Sequence, residues 1–293
     1  MITTTRIFLA GAVCFLPLTF LPSITMAQAS HSRGADVVDS MPNAKRIEQA
    51  VVSPDGVRVA YIVQTTLTVV NIDGSTEKTI EVEGKLPLRS ASWSNDSKQL
   101  VFVADLPGDV PAAQVWTASA DGSSPTQRAE LKGNVDAPSF SPDGSKLAVL
   151  FIEGMPRVAG PLQPMTPLAG VVGDKVYEQR LATIDLATNA LTQLTPADVY
   201  VYEYDWAPDG QAWVATAAHG SGDANWYVAR LYRIDSRPGE MHELYAPKLQ
   251  IAGPRVSPDG KNVAFIEGLM SDEGVTGGDI FVVPITGGSA RNL

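Results

Sequence analysis

The sequence predicts an all-β fold: a β-propeller of four-stranded antiparallel blades, with about five blades visible in 293 residues. Three observations predict it. A tight-turn motif recurs five times, a near-continuous apolar run follows most copies, and no segment longer than a few residues carries a convincing helical period.

The motif stands in VVSPDGVRVAYI from Val51, SWSNDSKQLVFV from Ser92, SFSPDGSKLAVL from Ser139, DWAPDGQAWVAT from Asp205 and RVSPDGKNVAFI from Arg255. Its aspartates, Asp55, Asp96, Asp143, Asp209 and Asp259, are spaced 41, 47, 66 and 50 residues apart. Such spacings suit one propeller blade per repeat. Pro54, Pro142, Pro208 and Pro258 preset φ for the first corner of a turn. The aspartate bonds its own backbone two residues on, and Gly56, Gly144, Gly210 and Gly260 accept the positive φ that follows. The second copy reads Asn95-Asp96-Ser97, so its turn is expected to be less rigid and Ser97 strained.

The runs after the turns, such as Leu100-Val101-Phe102-Val103 and Leu147-Ala148-Val149-Leu150, do not alternate. A strand of that kind is covered on both faces, as blade strands are by neighbouring blades. Val59 to Ile62 and Val263 to Ile266 read the same way, and Trp213-Val214-Ala215-Thr216 fits less well. A third strand, a second turn and a fourth strand complete each unit. The expected blades are 47–84, 88–132, 136–196, 200–247 and 250–293. The long spacing marks an insertion rich in Pro and Gly, Glu153 to Asp174, expected to form a rim loop.

The chain begins with one charge, Arg6, an apolar run from Ile7 to Leu21, and the small residues around Ala27 and Ala29. This is the layout of a secretory signal peptide over 1–29, followed by a polar lead-in over 30–46. An uncleaved anchor is the alternative, against which Pro17, Pro22, Ser23 and Thr25 argue. The only cysteine, Cys14, lies inside the apolar run. After cleavage there would be no disulfide, no thiol catalysis and no cysteine-ligated zinc. The expected location is exported, in a bacterial periplasm or outside the cell, with no membrane contact after cleavage. A net charge of −10 excludes nucleic acid as a natural partner, because phosphate binding needs a basic surface.

Candidate chemistry is sparse. No Gly-x-Ser-x-Gly elbow occurs, and Arg291 interrupts the nearest approach to one. His219-Gly-Ser-Gly has the letters of an oxyanion-hole motif but follows a propeller strand. His31, His219 and His242 have no metal-ligand spacing, and Ser271 to Asp279 lacks the alternating ligands of a calcium loop. The sequence therefore predicts no catalytic residue, no metal and no cofactor. His219, Asp223 and Trp226 are held as possible rim contacts, and the other tryptophans as packing residues.

The Ser-Pro-Asp-Gly blades resemble the WD-like propeller repeats of two exported groups. These are TolB of the Tol system and the propeller of prolyl-oligopeptidase-family serine peptidases, which include dipeptidyl and acylaminoacyl peptidases. YEYDWAPDGQAWVATAAHGSGDANWYVARLYRID, from Tyr202 to Asp235, and LATIDLATNALTQLTP, from Leu181 to Pro196, are similar to the peptidase blades. The resemblance covers roughly residues 44–293. It implies a non-catalytic propeller that gates peptide access and docks to an α/β-hydrolase domain carried elsewhere in the same parent protein. The adjacent glutamates by which the dipeptidyl branch holds a substrate amino terminus have no counterpart here. The alternative is a stand-alone TolB-like propeller acting through protein contacts. Five units form either a closed ring or an open arc. An arc would leave an unpaired edge and a bare apolar face, so the expectation is a truncated product or a segment of a longer protein.

Overall fold

Five sheets follow one another along the chain, each a simple antiparallel meander of four strands. Blade 1 comprises β1 (Ile47–Val52), β2 (Arg58–Val63), β3 (Thr66–Asn71) and β4 (Glu77–Thr79). Blade 2 comprises β5 (Leu88–Trp93), β6 (Gln99–Leu106), β7 (Ala112–Ser119) and β8 (Thr126–Arg128). Blade 3 comprises β9 (Gly133–Phe140), β10 (Lys146–Glu153), β11 (Arg180–Asp185) and β12 (Leu191–Gln193). Blade 4 comprises β13 (Val199–Trp206), β14 (Ala212–His219), β15 (Arg230–Asp235) and β16 (Met241–Tyr245). Blade 5 comprises β17 (Gln250–Val256), β18 (Asn262–Gly268), β19 (Asp279–Pro284) and β20 (Arg291–Asn292). A short 3-10 segment, Asp223–Val228, joins β14 to β15. The structure, a computed structural model, describes residues 46–107, 112–154, 177–220, 223–270 and 277–293, with only the backbone at 223 and 224. The expected signal peptide, nearly all of the lead-in and most of the blade-3 insertion lie outside these residues.

The turn chemistry explains why each first hairpin forms. In blade 1 the Gly56 amide donates to the Ser53 carbonyl at 2.8 Å, with Gly56 at φ 71°. The Ser53 hydroxyl donates to Asp55 Oδ1 at 2.6 Å and accepts the Arg58 amide at 2.9 Å. Asp55 Oδ1 also accepts the Val57 amide. Serine and aspartate together satisfy the donors that a reversing chain would leave bare. The same pattern recurs at Ser94/Asp96, Ser141/Asp143 and Ser257/Asp259. The serine hydroxyl is the main reason that the carboxyls of Asp55, Asp96, Asp143 and Asp259 sit below their usual range. That of Asp143, which gains the Ser145 hydroxyl as well, falls to about 2. In blade 4 Ala207 replaces the serine, and Asp209 Oδ1 still accepts the Gln211 amide. Ser97 stands at φ 60°, a left-handed conformation for a residue with a β-carbon.

Apolar side chains form clusters between consecutive blades. One joins blades 1 and 2 around Ile62, Leu67, Leu100 and Phe102. A second joins blades 2 and 3 around Val101, Val103, Leu147 and Phe151. A third joins blades 3 and 4 around Leu150, Leu181, Val201 and Trp213. Two more join blades 4 and 5. Among the described residues, no cluster joins blade 5 to blade 1. The second strands record the consequence. β6, β10 and β14 are buried almost without interruption. In β2 and β18 fully buried residues alternate with half-buried ones, so one face of each end blade is incompletely covered. The weak run at Trp213 proves to be covered along its whole length, because small Ala215, Ala217 and Ala218 let the flanking blades approach.

Candidate functional site

The first strand of every blade pairs irregularly with its second strand. Register shifts fall at Ile47/Gln49, Arg89/Ser92, opposite Ala148/Leu150, Val201/Glu203 and Ala252/Arg255. A bulge bends its strand and re-aims a side chain. Three of the five put a residue into left-handed backbone: Ser90 at φ 52°, Ala137 at φ 47° and Gly253 at φ 63°. Ser90 and Ala137 carry β-carbons, so the backbone there is strained, and Asp136 compensates. Its carboxylate accepts the Ala137 amide at 2.7 Å, the Ser90 hydroxyl, and Arg89 Nη1 at 2.9 Å.

The bulged first strands of blades 1 to 4, with Arg255 of β17, line an open, channel-like cavity of about 1190 Å³. Neighbouring first strands meet there through side chains. The Gln49 amide accepts from and donates to the Ala91 backbone at 2.8 and 2.9 Å. Arg89 reaches the Val135 carbonyl at 2.9 Å. Tyr204 and Trp206 both reach Ser139. Glu203 accepts the Gly253 amide at 2.7 Å, and Asp205 accepts the Val256 amide at 2.8 Å. The lining has four carboxylates, Glu48, Asp136, Glu203 and Asp205, against two guanidinium groups, Arg89 and Arg255. Burial pushes the Asp205 carboxyl up, against the pull of the Val256 amide and Arg255. Aromatic faces from Tyr200, Tyr202 and Trp206 complete the wall.

Three residues of the turns, Asn95, Pro142 and Pro208, line this channel. A β-carbon on Gly210 would lie 3.5 Å from Pro142, and one on Gly260 would lie 3.7 Å from Pro208. In the second repeat the Ser97 hydroxyl instead accepts the Asp55 amide at 3.0 Å. The motifs singled out as turns therefore also touch one another across three of the four seams.

His219 lies at the opposite end of its blade, its Nδ1 3.1 Å from Asp198 Oδ2, with both side chains exposed. The hydrogen bond from His219 holds the Asp198 carboxyl below its usual range. Among the described residues, no hydroxyl bonds the His219 ring. The Asp223 side chain and Ser221 lie outside the described residues. Trp226, expected as a rim contact, is 3 % exposed and packs beneath the rim against Tyr200, Tyr202 and Met270. Its neighbour Tyr227 faces solvent instead. Among the described residues, no group of three His, Cys, Asp or Glu side chains could hold a metal ion. Sequence reasoning missed the bulges, for which Gly253 was the only legible sign. The arrangement offers surface and charge for binding.

No protein-family model matches the chain. It is 23% identical over 241 residues to the peptidase YuxL of Bacillus subtilis strain 168, itself uncharacterised, covering 79% of this chain and 31% of that protein. It is 25% identical over 227 residues to the Tol-Pal system protein TolB of Francisella tularensis subsp. holarctica, covering 78% of this chain and 45% of that protein. The chain thus spans less than half the length of either relative. Among solved structures, a protein described as TolB from Agrobacterium tumefaciens superposes with a TM-score of 0.59 at 15% identity, over 85% of this chain and 80% of that one. The acylaminoacyl peptidase of Pyrococcus horikoshii superposes at 0.56 and 16% identity, over 85% of this chain and 39% of that one. These likenesses show the fold: a propeller of the kind found in TolB and in the propeller domains of such peptidases.

Proposed function

We infer that the chain is the non-catalytic propeller portion of an exported serine peptidase. In this reading it admits peptides through its channel and docks to an α/β-hydrolase domain of the same protein. The observation that carries the reading is the channel itself. Its wall is bulged and strained at Ser90 and Ala137, rich in carboxylates and aromatic faces, and without a nucleophile–base pair among the described residues. Strained backbone persists where surrounding structure over-determines it, and such strain clusters at ligand sites, which supports the reading. The match to YuxL, a protein about three times as long as the matched segment, supports a place beside a further domain.

The test has two arms. The isolated chain is assayed on aminoacyl and dipeptidyl chromogenic substrates, and no turnover is expected. Turnover that a serine-directed phosphonate abolishes overturns the non-catalytic assignment. A Lys- and Tyr-containing hexapeptide is then titrated calorimetrically at low and high salt. Binding that weakens with salt and tightens when Arg255→Glu removes a channel cation supports the channel as the peptide path. Binding indifferent to Arg255 places the peptide elsewhere. The second reading, a TolB-like binding propeller, is favoured by the 25% identity with TolB and predicts capture of a folded partner with no affinity for short peptides.

A further inference from the structure

Ten large apolar side chains are exposed among the described residues, and four of them meet in one place. Tyr227, Val228, Leu249 and Leu269 are 55%, 66%, 48% and 83% exposed, and all four line a recess of about 330 Å³. The other six are distributed over the end blades 1 and 5. The recess lies where the 3-10 segment of blade 4 meets the linker into blade 5, at the end of these blades away from the Pro-Asp-Gly turns.

Its walls are fixed from beneath. Glu267, only 5% exposed, accepts the Lys248 amide at 2.8 Å, the Leu249 amide at 3.2 Å and the Tyr245 hydroxyl at 2.8 Å. That carboxylate clamps the linker. The 3-10 segment is anchored by buried Trp226 and by the Asn225 side-chain amide, which donates to the His219 carbonyl at 2.9 Å. Apolar side chains therefore face water on a hydrogen-bonded frame, which lowers the ordering cost of receiving a partner. Two cations flank them in a chain of net charge −10. Arg230 is paired with Glu243 at 2.7 Å, and Lys248 makes no ion pair among the described residues.

The geometry points to a docking recess for a protein segment that presents a bulky apolar side chain next to a carboxylate. The apolar group enters between Tyr227, Leu249 and Leu269, and the carboxylate meets Lys248. A concave surface suits an inserted side chain more than the flat face of a lipid bilayer. The recess is separate from the channel, and the inference does not depend on peptide passing through that channel.

The test uses the full chain and two acetylated, amidated hexapeptides that share a Leu-Phe core, one flanked by Asp and one by Lys. Amide chemical shifts are followed by TROSY NMR. The Asp-flanked peptide is expected to move the resonances of 227–230, 246–250 and 269. The Lys-flanked peptide should bind about tenfold more weakly, as should the Asp-flanked peptide to Leu269→Asp or Lys248→Glu, since truncating a central anchor typically removes that much. Leu269 is so exposed that its substitution should leave the thermal transition in place, which separates lost binding from lost folding. Three results overturn the inference: no shift from either peptide at millimolar concentration, shifts confined to the channel, or equal response to both peptides. Binding to phosphatidylglycerol vesicles, or self-association seen by sedimentation, overturns it also if Leu269→Asp abolishes that behaviour while peptide binding persists.

Discussion

Replacing Tyr204 by Phe should weaken the seam between blades 3 and 4 more than the loss of one oxygen atom suggests. The Tyr204 hydroxyl lies 2.8 Å from Ser139 Oγ and 2.9 Å from the Ala148 carbonyl, and it also contacts the Ala137 carbonyl. Burial holds its pKa well above the ordinary value, so the phenol keeps its proton and donates to a carbonyl. Ser139 is shared a second time, because Trp206 Nε1 donates to its hydroxyl at 2.9 Å. Phenylalanine would leave a carbonyl without its donor and the serine without an acceptor. A buried polar group left unsatisfied costs about 1–3 kcal/mol, so a loss of about 2 kcal/mol is expected. In a domain of this size that corresponds to a fall in Tm of about 4–8 °C. Ser139→Ala strips the same hub and strands the Trp206 indole, so the double variant should lose about 1 kcal/mol less than the sum of the single losses. Urea unfolding of the four proteins, with unchanged m-values, measures the cycle. A Tyr204→Phe loss below about 0.5 kcal/mol, or strict additivity, would refute the shared-hub account.

The second-repeat turn yields a paired comparison. Ser97→Ala keeps the left-handed φ of 60° and loses the bond to the Asp55 amide, whereas Ser97→Gly loses the bond and relieves the strain. The glycine variant should therefore be the more stable by about 1 kcal/mol, and a more stable alanine variant would contradict the strain. The turn aspartates predict acid sensitivity. The Asp143 carboxyl has a folded pKa of about 2, lowered first by Ser141, against an ordinary 3.8. A depressed folded pKa stabilises fully above the unfolded value, and the contribution is lost as pH falls from about 4 through about 2. Ser141→Ala should raise the Asp143 pKa toward 3.8 in a carboxyl ¹³C titration, and an unchanged value would remove serine as the cause.

What the sequence reveals is whatever is decided locally. Pro142, Asp143 and Gly144 set their own dihedrals and hydrogen bonds, so the recurring turn announces each hairpin and, by its spacing, each blade. The bulges are decided otherwise. Ala137 adopts a left-handed φ because Asp136 receives its amide and Arg89 of the preceding blade approaches, and nothing in the string around Ala137 states this. Trp226 and Tyr227 are adjacent aromatics in one 3-10 segment. Which of them turns inward depends on Tyr200, Tyr202 and Met270 from other strands. The recess follows the same rule, since Leu249 joins Tyr227 and Leu269 in its lining on a linker that Glu267 holds from another strand.

The apolar runs carry a different lesson, because the sequence writes them alike in four of the five blades while the array covers them unequally. Leu100 to Ala104 in β6 and Leu147 to Ile152 in β10 are enclosed on both faces. In β18, Val263 and Phe265 are enclosed, while Ala264 and Ile266 are only partly covered. On that side Val256, Ala264 and Val282 form an apolar strip between Arg255 and Arg291. In β2 the partly covered positions are Val59, Tyr61 and Val63. A stacked array is stabilised mainly by nearest-neighbour interfaces, and blades 1 and 5 each make one where blades 2, 3 and 4 make two. The composition of an end blade thus matches two interfaces and the described residues satisfy one. The difference is apolar area whose burial would favour the folded state by roughly 25 cal/mol per Å². It falls on the flanks of the array, away from the side-chain bonds that join neighbouring first strands around the channel.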